Sequence, residues 1–191
     1  MTELLKKRIN KLIILSLIIP AIGIIVSYYH GFNWLFNDLS DLGVFSQFFN
    51  GGVIFGGIIL GIFTLNNLTQ ECAGFSARFF MLLSATCLIL IGIYKKNGNY
   101  PLHWSIAAIC LLSISIAWLL IGKKLIRYYP SMGYFTILAA LISYSTWFSY
   151  FIIWLADHRF GYCVPEVITI ITIVTWILVF ISKYSDKKQI N

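Results

Sequence analysis

Charge is what this chain has least of. Asp, Glu, Lys and Arg make up 11% of it against 59% hydrophobic residues, with a mean hydropathy of +0.84. An ordinary soluble domain carries about a quarter charged residues, so that class is excluded. Strand-length alternation of apolar and polar residues is also missing, and with it the pattern of a transmembrane barrel. Cysteine is sparse and unpaired: Cys72, Cys87, Cys110 and Cys163 form no CxxC motif. Neither a dithiol relay nor a thiolate metal site is therefore indicated.

What the chain does have is long, nearly uncharged stretches. Windows of about 18 to 22 such residues cross a hydrocarbon core of roughly 30 Å as helices. Six are expected, at approximately 12–29, 46–66, 77–94, 102–122, 132–155 and 164–182. In lipid each backbone amide must pair within its own segment, so the fold class is all-α: one polytopic membrane domain, 1–191, built as a six-helix bundle. The first stretch follows basic residues but lacks a small-residue cleavage site, and reads as a retained anchor. No span carries an acid or base near its middle, and the two halves of the chain show no repeat. The usual marks of a secondary transporter are thus absent.

Lys and Arg gather in cytoplasmic loops of membrane proteins. With both termini cytoplasmic, Lys6, Lys7, Arg8, Lys11, Arg78, Lys123, Lys124, Arg127, Lys183, Lys187 and Lys188 lie inside, and only Lys95, Lys96 and Arg159 outside. This bias accounts for the net charge of +7 without any nucleic-acid partner. The chain is expected in the cell membrane, as a multi-pass protein among lipids, with a membrane-protein partner or homo-oligomer compatible with its small size. Gly52 and Gly56, and Gly57 and Gly61, recur four apart in the second span, a spacing that lets another helix approach closely.

The same topology places His30, His103 and His158 on the outer side, together with Asp38, Asp41, Asp157 and Glu166. Asp38 and Asp41, three apart before the second span, read either as a carboxylate pair for metal or acid–base work or as helix caps worth about 1 kcal/mol each. His103 sits in the first turn of the fourth span after Pro101, where it could bind a metal, move a proton, or simply be solvated. Glu166, in the first turn of the sixth, suits the helix dipole, with about 0.3 to 1 kcal/mol of stabilisation, or turns inward to a wet cavity. Ser143, Thr146 and Tyr150 share a face of the fifth span, with Asn50 as a candidate partner across the bundle. Hydroxyls on such a face can equally bond back to their own helix.

Leu39-Ser40-Asp41-Leu42-Gly43, then Phe49-Asn50-Gly51-Gly52 and the glycine-rich span, resemble a family of small prokaryotic membrane proteins catalogued as domain of unknown function 998. Ile91-Gly92-Ile93-Tyr94 followed by Leu102-His103 is similar to that family's short outer loop and helix-opening histidine. The resemblance implies a six-span layout like that of the Frag1/DRAM/Sfk1 proteins and a set of positions, Ser40, Asp41, Asn50 and His103, but no reaction. A more distant similarity to membrane hydrolases of the alkaline ceramidase type implies a zinc site of serine, aspartate and three histidines. Here the paired histidines one turn apart that such a site uses are missing.

The leading expectation is a protein that binds a lipid or isoprenoid headgroup in an outward-facing polar pocket of Ser40, Asp41, Asn50, His103, Ser143, Thr146 and Tyr150. The alternatives are a metal-dependent hydrolase or transferase at the outer leaflet and an accessory subunit of a larger membrane complex. For the enzyme, Asp41, His103 and Glu166 are the catalytic candidates, and Asp41, His103 and His158 the candidate ligands of a divalent metal.

Overall fold

The computed structural model describes residues 32–70, 72–157 and 160–185. A 3₁₀ turn, Leu39–Asp41, leads through a one-turn helix α1 (Leu42–Phe45) into α2 (Gln47–Asn67). There follow α3 (Gly74–Ile93), α4 (Tyr100–Leu125), α5 (Pro130–Ala156) and α6 (Cys163–Ser185). The described residues contain no strand, and α2 to α6 are each long and apolar enough to cross a membrane. These are the second to sixth of the expected spans, with ends within about three residues. The first, 12–29, lies outside the described residues.

Local chemistry explains where the helices begin. Asn99 caps α4 by accepting the Leu102 N–H at 3.2 Å, with Pro101 beside it, and Pro130 opens α5 where its missing N–H costs nothing. Lys123 and Lys124 in the last turn of α4 complement the negative end of its dipole. Hydroxyls inside the spans close on their own helices. Thr64 donates to the Leu60 carbonyl, Thr136 to Met132 and Thr172 to Ile168, each at 2.7 Å, so these hydroxyl hydrogens are satisfied without water.

Consecutive long helices run antiparallel and pack on one another. Gly57 sets the approach of α2 to α3, where a Cβ would stand 2.7 Å from the Ala85 carbonyl. Gly92 answers from α3, with a Cβ position 2.8 Å from the Asn50 carbonyl. Gly122 and Gly133 do the same for α4 and α5. Of the glycines four apart, Gly57 is wedged against a neighbouring helix, while Gly56 faces open space.

The main core occupies one end of the bundle. Phe63 of α2, Trp118 of α4 and Phe180 of α6 meet Trp176 there, with ring centroids 5.3–6.0 Å apart. Trp176, fully buried, donates its indole N–H to Thr136 at 2.9 Å. The end of α4 carries Lys123 and Lys124 there, Arg127 follows in the loop, and the Lys124 ammonium reaches back to the Gln70 carbonyl. At the other end, where Asp38, Lys96, His103 and Glu166 lie, the helices part around a cavity.

Candidate functional site

That polar end is assembled from three separate stretches of chain. In the first, Asn37 accepts the Asn33 N–H at 2.7 Å and Asn33 accepts the Leu35 N–H at 2.9 Å, which curls the approach to the 3₁₀ turn. Asp41 then accepts the Asp38 N–H at 2.8 Å, the capping role open to it from the sequence.

The second stretch runs alongside the first. Gly161 donates to the Leu35 carbonyl at 2.9 Å and Cys163 to the Asn37 carbonyl at 3.2 Å. Between them Tyr162 donates its N–H to the Asp38 carboxylate at 2.8 Å. Only glycine fits at 161, because a Cβ there would lie 2.2 Å from the Asn37 carbonyl oxygen. In return Glu166 accepts the Leu39 N–H at 2.5 Å. The start of α6 and the turn before α1 thus clasp each other.

Lys96, from the loop after α3, is the third stretch. Its ammonium bridges Asp38 at 2.7 Å and Asp41 at 2.5 Å, with all three side chains mostly buried. Burial pushes this ammonium down, but the hydrogen bonds and charges of the two carboxylates outweigh it and its pKa is raised. The described cluster holds three carboxyl groups, Asp38, Asp41 and Glu166, against one cation. Asp38 and Asp41 by themselves outnumber Lys96, which leaves the described cluster a surplus of negative charge.

Below this cluster lies a cavity of about 460 Å³, within the size range of small-molecule sites. Asp38, Ser40, His103, Tyr162 and Glu166 form its polar end. On α4 the wall continues through Trp104, Ala107, Ala108, Leu111 and Leu112, and on α5 through Tyr144, Trp147, Phe148 and Phe151. From His103 to Leu112 is about 13 Å along the helix axis. Leu112, Tyr144, Phe148 and Phe151 are all exposed, so the cavity opens sideways between α4 and α5.

His103 is 5% exposed, and its Nδ1 lies 2.7 Å from the Tyr94 carbonyl. A carbonyl can only accept, so Nδ1 carries a hydrogen, and in the neutral ring Nε2 is left as an acceptor. No hydrogen bond among the described residues uses Nε2, nor Oε1 of Glu166. Tyr162 is 6% exposed, and its hydroxyl has no partner among the described residues. Its ring stacks on Trp147 at 5.5 Å and meets Trp104 edge-on at 5.6 Å.

The residues singled out from sequence are therefore distributed unevenly. Ser40, His103 and Glu166 line the cavity, while Asp41 sits behind them holding Lys96 and the turn. Asn50 donates to the Gly43 carbonyl at 2.8 Å, bracing the bend between α1 and α2, and does not line the cavity. Ser143, fully buried, is 3.1 Å from Thr169 on α6, and Thr146 bonds back to Ile142 at 2.7 Å. Neither they nor Tyr150 line the cavity; the adjacent aromatic face of α5 does.

His30 and His158 lie outside the described residues. Among those described, no three His, Cys, Asp or Glu side chains gather as a metal-ligand set. Asp41 and His103 are each engaged elsewhere, with Lys96 and with Tyr94. The described donors do not make a zinc centre of the ceramidase kind.

Among the polar residues at the head of the cavity, Lys96 and Tyr162 are not among those the sequence pointed to, and neither is the apolar wall of α4 and α5. Lys96 carries a signal in the sequence: with Lys95 and Arg159 it is one of the three cations that the expected topology leaves outside, on the side of Asp38 and Asp41. Tyr162 carries none.

Fold and site together define a class: an all-helical protein with five described helices able to span a membrane and an acid-headed apolar cavity between two of them. Comparison with family models, curated proteins and solved structures gives no match to this chain.

Proposed function

We propose that this protein binds a lipid or isoprenoid amphiphile, with its head at the Asp38, Ser40, His103 and Glu166 end of the cavity and its chain along α4 and α5. In this reading the chain crosses the cell membrane six times with both termini in the cytoplasm, and the polar end faces the exterior. One observation carries it: the cavity is polar at one end, apolar along its length, and open sideways between the apolar helices α4 and α5. That is the profile of an amphiphile entering laterally from one leaflet. A soluble ligand would gain nothing from the exposed Leu112, Phe148 and Phe151.

Native mass spectrometry of detergent-extracted protein tests this, with thermal unfolding followed as lipid is added back. Retained lipid and a rise in unfolding temperature are expected, both lost in Ala108→Trp, which fills the cavity. Protein that retains no lipid, with an unfolding temperature indifferent to it and to the substitution, overturns the proposal.

A further inference from the structure

The free polar groups at the head of the cavity are of one kind. Glu166 offers Oε1 and His103 offers Nε2, both acceptors, while Ser40 and Tyr162 offer hydroxyls that accept as readily as they donate. The cation that the described residues bring to this cluster, Lys96, already spends its charge on Asp38 and Asp41. An anionic head placed here would face Asp38 with no cation among the residues that line the cavity to receive it. A donor-rich, positively charged head meets the opposite situation: a surplus of negative charge, several convergent acceptors, and the rings of Trp104 and Tyr162 beside it. The unpartnered hydroxyl of the buried Tyr162 is what such a group would satisfy.

We infer that the cavity receives the ammonium group of a single-chain primary amine, its three N–H donors shared among Glu166, His103 and the hydroxyls of Ser40 and Tyr162. This rests on the proposed cavity function and adds the chemical class of the head. A phosphoethanolamine head carries the same ammonium, but it would bring its phosphate against the acids, and its two chains exceed a cavity of about 460 Å³. The free amine is the form that fits.

Four probes with one chain length separate the possibilities: decylamine, decanol, decyl phosphate and decanoate. Binding is followed by native mass spectrometry and thermal shift on the full chain in phosphatidylcholine nanodiscs. Decylamine is expected to bind at least about tenfold more tightly than the other three. Glu166→Gln keeps an oxygen for the Leu39 N–H but cannot ionise against a bound ammonium. In that variant the preference for amine over decanol is expected to fall about tenfold, with decanol binding unchanged.

Equal binding of amine and decanol, or tighter binding of phosphate or decanoate, overturns the ammonium assignment and leaves the cavity function standing. If none of the four binds, or if Ala108→Trp weakens none, the cavity function falls with it. Displacement of decylamine when phosphatidylethanolamine replaces phosphatidylcholine in the nanodisc overturns the single-chain assignment.

Discussion

Glu166 accepts the backbone N–H of Leu39 at 2.5 Å across 127 positions of sequence, joining the first turn of α6 to the turn that precedes α1. Leu39 is 3% exposed, so its N–H has no water to fall back on. Glu166→Ala is expected to cost about 1–3 kcal/mol, and Glu166→Gln much less, because the amide oxygen can still accept. Thermal unfolding of the purified variants distinguishes them; equal losses would mean that charge, not the hydrogen bond, holds the clasp.

The opposite strand of that clasp depends on Gly161. Gly161→Ala puts a methyl group into the Asn37 backbone, where no side-chain adjustment can relieve it. A loss of about 2 kcal/mol or more is expected. A variant as stable as the parent would show that the two segments separate easily.

Lys96 neutralises two carboxylates at once. Lys96→Met leaves Asp38 and Asp41 facing each other without a counter-charge, at a cost of about 2 kcal/mol once the partial exposure of the site is allowed for. Adding Asp38→Asn to Lys96→Met is expected to recover part of that loss, which a double-mutant comparison by unfolding temperature would detect.

Alkaline pH should weaken the same end of the bundle. Burial, with the nearby Asp38 and Tyr100, pushes the Tyr162 hydroxyl up to about 12, and Lys96 is likewise raised. In the unfolded chain Tyr and Lys lose their protons near about 10 and 10.4, so above that pH the unfolded state binds fewer protons than the folded one. Stability is therefore fully present below about pH 10 and falls as pH rises toward about 12. Tyr162→Phe should shrink that fall, leaving the part due to Lys96, in unfolding temperatures compared between about pH 8 and pH 11.

Two adjacent glycines of α2 make a sharp contrast. Gly57→Ala drives a methyl against the Ala85 carbonyl, while at Gly56 nothing stands within 4 Å of the new methyl. The first is expected to destabilise by about 1–3 kcal/mol and the second to be neutral or slightly stabilising. Similar melting temperatures for the two would place the α2–α3 contact elsewhere.

The proposed orientation can be read by labelling, because the four native cysteines are all buried. Asn97→Cys, in the loop beside Lys96, should react with a membrane-impermeant maleimide on intact cells, and Arg127→Cys only after lysis. The reverse pattern would invert the topology.

Much of the bundle was legible in the sequence, for a reason specific to lipid. With no water to pair backbone groups, a long uncharged window has one available structure, so 46–66 or 132–155 could be read directly as a helix and emerged as Gln47–Asn67 and Pro130–Ala156. Pro101 and Pro130 marked helix starts by the same local logic. The choice between paired acids and caps was not local. Asp41 does cap the turn, yet it also holds Lys96, 55 positions away, which no spacing rule connects to it.

Hydropathy and the scarcity of charge determined that this chain forms apolar helices long enough to cross a membrane, because each stretch answers to its own composition. The tertiary structure alone decided which faces meet and what is left between them. It buried Ser143 against Thr169, turned Asn50 onto Gly43, and gave the cavity wall to Tyr144, Trp147, Phe148 and Phe151. It also brought Glu166, His103 and Tyr162 to the head of one cavity. Helix rotation and close approach at Gly57, Gly92, Gly122 and Gly133 set those outcomes, and they arise from packing between segments far apart in sequence.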